Sequence, residues 1–249
     1  MKKLLSLTFA VLFSASLAFS QGIAIGLRGG LTLTSGNTNL PVQSNRVPPL
    51  PEIKNEGDGQ GAGFAVGAFA RFKLAGFFLQ GEVNYTRFLL KQKSSTDFDS
   101  PTPLGTATAT LATKTETTLD AINIPILFGK SFAGGLVRAY LGPSFIIATK
   151  AEQQGDFTSS ASFGGVVISA PTTTNLTQDL LTEDAGVIEV KPLIIAIEVG
   201  AGLSLPMGLD IDLRYGVPAI TGVYKNSDVS GFLGILSLSV GYRLAKLGL

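Results

Sequence analysis

Nine charged side chains fall on the polar side of an alternation that runs through this sequence: Arg28, Arg71, Glu82, Arg138, Glu198, Asp210, Asp212, Arg214 and Arg243. Guanidinium and carboxylate groups can bind ions, hold each other, or do acid–base work. The last use requires a nucleophile, a metal set or a second tuned acid beside them. The chain has no histidine and no cysteine. That removes the commonest general base, a Ser-His-Asp triad, thiolate metal sites and disulfides. A ring of one sign would suggest ion selection. Five arginines against four carboxylates instead predict mutual neutralisation, a plug of salt bridges in a narrow interior. A gate that re-pairs to pass small ions is the sharper alternative. No catalytic, cofactor-binding or metal residue is expected, and no cofactor.

Strands must position these groups. Ile23, Ile25, Leu27, Leu31 and Leu33 alternate with Gly26, Arg28, Gly30, Thr32 and Thr34. Leu209, Ile211, Leu213, Tyr215 and Val217 alternate with Asp210, Asp212, Arg214 and Gly216. Successive strand side chains point to opposite faces, so each segment has one apolar and one polar face. The same pattern marks 63–73, 77–90, 117–129, 137–149, 190–205 and 232–244, eight stretches in all. Counting from the strand ends places Glu82, Glu198 and Arg28 near mid-height. Arg138, Asp210 and Arg243 fall near the short turns, with Arg214 between.

The connections alternate in length. Residues 35–62, 92–115, 150–188 and 218–230 are long and rich in Gly, Pro, Ser or Thr, whereas 73–76, 130–135 and 205–208 are tight. The long ones read as surface loops, although 166–169 could extend a strand. Charged residues are 15% of the chain, against about 25% in an average soluble domain. The apolar faces are nearly free of charge. A soluble barrel of the lipocalin type would carry its charges outward; here they gather on the opposite face. The fold class expected is therefore all-β, an eight-stranded antiparallel up-and-down transmembrane β-barrel. Phe72, Phe77, Phe128 and Tyr242 would form one aromatic girdle, and Phe64, Tyr85, Phe145, Tyr215 and Phe232 the other. Gly200–Ala201–Gly202 would give room inside the barrel, and Pro125 and Pro143 would interrupt ladders in mid-strand.

Lys2 and Lys3 precede an apolar run from Leu4 to Phe19, with Ala18 and Ser20 as small residues before Gln21. This is the pattern of a cleaved signal peptide over 1–20, leaving 21–249 as the barrel. Formal net charge is +1, so no field draws nucleic acid.

Four segments carry a family resemblance: Leu79–Gln80–Gly81–Glu82–Val83–Asn84–Tyr85, Ile122–Asn123–Ile124–Pro125–Ile126–Leu127, Ala139–Tyr140–Leu141–Gly142–Pro143 and Leu209–Asp210–Ile211–Asp212–Leu213–Arg214–Tyr215. In this order and spacing they resemble the PorT-like family of outer-membrane β-barrels, typical of Bacteroidetes. Glu82 and Arg214 occupy that family's inward polar positions. The resemblance implies the cell outer membrane, its lipid and its assembly machinery as partners. Such barrels often end on an aromatic residue, whereas this chain runs past Tyr242 and Arg243 to Leu249. The function expected is non-enzymatic, structural or surface-interacting through long extracellular loops, with a surface ligand or protein partner unnamed. A small gated channel is the alternative, and an accessory part of a secretion apparatus the second.

Overall fold

The computed structural model describes residues 22–44, 51–74, 76–102, 105–163, 166–218 and 222–247. The expected signal peptide at 1–20 lies outside them. Among the described residues the strands are β1 (Ile23–Leu40), β2 (Ile53–Gly57), β3 (Gly61–Leu74), β4 (Phe77–Thr102), β5 (Gly105–Phe132), β6 (Val137–Phe163), β7 (Val166–Asp179), β8 (Leu193–Ser204), β9 (Leu209–Pro218) and β10 (Ser230–Leu247).

Eight of these strands close into an antiparallel ring in the order β1, β3, β4, β5, β6, β8, β9, β10, and β10 returns to β1. Closure pairs Ile23 with Leu247 at one end and Asn39 with Ser230 at the other. It leaves the spanning region without a strand edge, which backbone in lipid requires. The other two strands sit outside the ring: β2 pairs with the long ends of β1 and β4, and β7 pairs with β6.

Two long connections are not loops. Residues 92–115 complete a hairpin of β4 and β5, paired from Gln92–Thr115 to Thr102–Gly105. Residues 150–179 form a second hairpin, with Glu152 opposite Asp179 and Phe163 opposite Val166. Their Thr-rich composition suits β structure. Both faces stand clear of lipid, so no apolar alternation marks them as strands.

The outward face carries the apolar band. Leu31, Leu141, Ile197 and Leu213 are each more than half exposed. At the short-turn end Lys130 reaches the rings of Phe77 and Phe132, at 5.3 and 5.6 Å, and Phe77 stacks on Phe128. At the long end Arg87 grips Asp120 through two hydrogen bonds of 2.6 and 2.8 Å, beside the Phe64 and Tyr85 rings. From Phe77 to Arg87 the strand spans roughly 25 Å along the barrel axis at ~3.3 Å per residue and ~40° tilt.

Both mid-strand prolines coincide with lapses in pairing. The β4–β5 ladder passes from Gly81–Ile126 to Asn84–Asn123, skipping the step opposite Ile124 and Pro125. The β5–β6 ladder passes from Pro125–Ser144 to Phe128–Leu141, skipping the step at Gly142 and Pro143. Glu82 lies at the first lapse.

Candidate functional site

The interior holds two strata. The stratum toward the short turns is ionic. Glu82, contributed by β4, is 3% exposed and accepts from Arg28, from Gln80, from Asn84 at 3.0 Å, and from both terminal nitrogens of Arg214 at 2.6 and 2.9 Å. Glu198 on β8 approaches the same Arg214 at 3.6 Å. Closer to the turns, Asp210 on β9 meets Arg71 at 2.9 Å, Arg243 at 3.5 Å and Arg138 at 3.7 Å. Asp212 lies 3.0 Å from Arg138 and accepts from the Tyr140 hydroxyl at 2.8 Å. Arg28 links the two centres, 3.9 Å from Asp212. Tyr140 does the same, because its hydroxyl also receives a bond of 3.1 Å from Arg214 Nε. All nine inward-parity charges are thus brought into one cluster.

Five guanidinium groups face four carboxylates, and aromatic faces take part of the surplus charge. Arg71 lies 5.2 Å from the Phe69 ring and 5.4 Å from the Phe78 ring, and Arg214 lies 5.2 Å from Tyr140. Cation–π contacts strengthen once the cation is desolvated. Gln80, Asn84, Tyr140 and Ser239 hydrogen-bond within the cluster and were not singled out as site residues from sequence. A neutral polar residue inside an apolar run, such as Gln80 in Leu79–Gly81, is the signal that would have found them. Two glycines make room: a Cβ on Gly200 would run into the Tyr140 ring, and one on Gly202 into the Asp212 carboxylate.

The stratum toward the long ends is apolar. Phe88, Leu90, Ile146, Ile194 and Leu233 project inward from the ring and pack around Leu180, Val190, Val223, Tyr224 and Val229 from the connections. The β7–β8 connection turns through a 3-10 segment at Glu183–Ile188, burying Ala185. It joins the β9–β10 connection by Lys191 N to Val223 O, 2.7 Å, and Lys225 N to Glu189 O, 2.8 Å. Two connections expected as surface loops therefore fold into the barrel mouth. An apolar cavity of about 70 Å³ remains among them, and a void of about 40 Å³ separates them from the ionic stratum.

A closed antiparallel ring with an apolar exterior and a charged, filled interior defines an integral outer-membrane β-barrel. The model of the outer membrane protein beta-barrel domain family matches residues 18–222, well over half of the chain, and the chain belongs to that family. No curated protein matches it. Among solved structures it is similar to neisserial surface protein A, at 14% identity over 87% of this chain and 97% of that one, with a TM-score of 0.30. Ail, the attachment invasion locus protein of Yersinia pestis, shares 12% identity over 87% of this chain and 98% of that one, TM-score 0.31. The outer membrane protease OmpT from Escherichia coli shares 8% identity over 90% of this chain and 96% of that one, TM-score 0.27. None of these likenesses bears on function.

Proposed function

We propose that the protein is a non-conducting, non-enzymatic outer-membrane barrel. It would display its long hairpins outside the cell and act there by surface interaction. The observation that carries this reading is the double closure of the interior: an ionic stratum around Glu82 and Asp210, and an apolar stratum in which Leu180, Val190 and Val223 fill the mouth. An ion would have to break paired charges and then cross a desolvated apolar layer. The buried carboxylates are committed to arginines, which supports a role outside catalysis. On this reading the chain is exported by a leader cleaved between Ser20 and Gln21, inserted by the assembly machinery, and belongs to the PorT-like branch of its family.

Planar-bilayer recording of the purified barrel tests the closure: the expected result is no steady conductance, and a steady conductance that changes with Glu82→Gln would establish the channel reading instead. Protease treatment of intact cells tests the orientation. Cleavage within 92–115 or 150–179 is expected, and full protection of both hairpins would reverse it. N-terminal sequencing of the mature protein should begin at Gln21.

A further inference from the structure

Beyond the apolar stratum the long ends enclose a cup of about 470 Å³, within the range of small-molecule sites, about 300–1,000 Å³. Much of its wall is strand face, because the strand residues that enter it share parity: Thr38 with Leu40, Ile53 with Asn55, Thr113 with Thr115, Leu176 with Gln178; the segment Asp184–Ile188 and Tyr224 close the rest. Several walls thus present apolar and hydrogen-bonding side chains side by side. Gln92 and Gln153 add amides, and Phe157 and Tyr224 add rings. Among the described residues lining the cup the only charged group is the Asp184 carboxylate; no lysine or arginine enters.

Gln92 is held at both ends, by Thr38 and the Gly36 carbonyl, whereas two other amides are held by one end only. Gln153 donates to Thr117 at 3.1 Å and Gln178 to the Asp184 carbonyl at 2.8 Å. Each carbonyl oxygen is left to accept. Tyr224 belongs to the floor of the cup. It lines both the cup and the apolar cavity beneath, so it forms the partition between them. It is 8% exposed. Burial alone pushes its phenol up to about 12, with no hydrogen-bonding group contributing.

We propose that this cup binds a neutral oligosaccharide. A sugar ring offers an apolar C–H face and a rim of hydroxyls, which matches walls that pair aliphatic or aromatic surface with amide and hydroxyl groups. Sulfated or phosphorylated sugars need cations, and none stands among the described residues lining the cup. An extended peptide would dock along an open strand edge, and these strand walls are faces. The proposal rests on the surface-interaction reading above, but its test is separate, since a barrel that conducts or is inverted could still bind sugar.

The experiment uses the full chain folded in detergent micelles, with saturation-transfer NMR against maltotetraose, cellotetraose, chitotetraose and mannotetraose. A heparin tetrasaccharide and a Gly-Ser octapeptide serve as competitors of other chemistry. The expected result is saturable binding of at least one neutral tetrasaccharide in preference to both. Gln153→Leu and Gln178→Leu should each weaken it about tenfold, the value of one lost buried hydrogen bond, while the heat-dependent gel shift of the closed barrel persists. The proposal is overturned if no neutral tetrasaccharide binds, if the heparin fragment or the peptide binds at least as tightly, or if both variants bind like the parent.

Discussion

Arg214 and Glu82 face each other across the barrel as a two-pronged ion pair, Nη1 to Oε2 at 2.9 Å and Nη2 to Oε1 at 2.6 Å. Their strands, β9 and β4, stand four places apart in the eight-membered ring. The pair therefore pins opposite walls together.

Removing one partner from such a pair leaves a buried charge uncompensated. Glu82→Gln strands Arg28 and Arg214, whose remaining carboxylates lie at 3.9 and 3.6 Å. The expected loss is about 3–5 kcal/mol of unfolding free energy, read from guanidinium unfolding in micelles. Glu82→Leu combined with Arg214→Met should cost less than the sum of the two single changes, because neither charge is left alone. Additive costs would show that the two groups do not depend on each other.

Gly200 and Gly202 test the packing of the same stratum. Gly202→Val places carbon where Asp212 and Arg138 meet, and Gly200→Val where the Tyr140 ring lies. Overpacking of a filled interior costs about 1–3 kcal/mol, and here it also displaces an ion pair. Both variants should lower the temperature of the heat-dependent gel shift. Ala201→Val, one residue away on the outward face, should leave it unchanged.

Leu213 is the outward neighbour of Arg214 and is 51% exposed. If that face meets lipid, Leu213→Arg should cost about 2–4 kcal/mol, the penalty for arginine near the bilayer midplane. Met207, in the turn that joins β8 to β9, is 90% exposed, and Met207→Arg should cost no more than about 1 kcal/mol. Refolding yields into vesicles across a urea series compare the two. Equal costs would mean that the outward face is not a lipid face.

Much of this interior is legible in the sequence, and the reason is parity. Arg214 stands between Leu213 and Tyr215, so a strand through them sends it away from two lipid-compatible side chains. Partner choice is not legible in that way. Which carboxylate meets Arg214 depends on strand order and stagger around the ring, and Tyr140 gives no local sign that it joins Asp212 to Arg214. The apolar stratum is hidden for a different reason. Leu180, Val190, Val223 and Tyr224 lie in irregular segments, where burial follows from the chain folding back into the mouth and leaves no period. The hairpin at 92–115 is hidden because both its faces stand clear of lipid, so Thr and Ser replace the apolar residues that would otherwise alternate.

Asp58 offers a pH test outside the spanning region. It follows β2 and lies 3.4 Å from both Lys93 and Lys114. The hydrogen bond from Lys114, with Lys93 beside it, holds its carboxyl below the usual range. A carboxylate with a lowered folded value stabilises above its unfolded value, about 3.9, and loses that effect as pH falls through the folded one. The tie of β2 to β4 and β5 should thus persist at neutral pH and loosen only below about pH 4. Amide resonances of 53–57 should shift as pH drops from about 5 to about 2 in the parent, and far less in Asp58→Asn. That variant should also be cut faster by trypsin at Lys54 at neutral pH. Identical titrations in the two proteins would remove Asp58 as the anchor.

The two strata make a prediction that neither makes alone. If the ionic layer were the only barrier, Glu82→Ala with Arg214→Ala would open the barrel, since the two side chains that span it would be gone. The apolar layer lies in series with it, built from Leu180, Val190, Val223 and Val229 at 0–7% exposure. Desolvating an ion through such a layer costs several kcal/mol. The double alanine variant should therefore remain silent in a planar bilayer. Deletion of 180–190 in the parent, which removes Leu180 and Val190, should also remain silent, because the ionic layer persists. Combining the two should yield a steady conductance. Current through the double alanine variant alone would mean that the mouth is not sealed by the folded-in connections, and that the ionic layer is a gate.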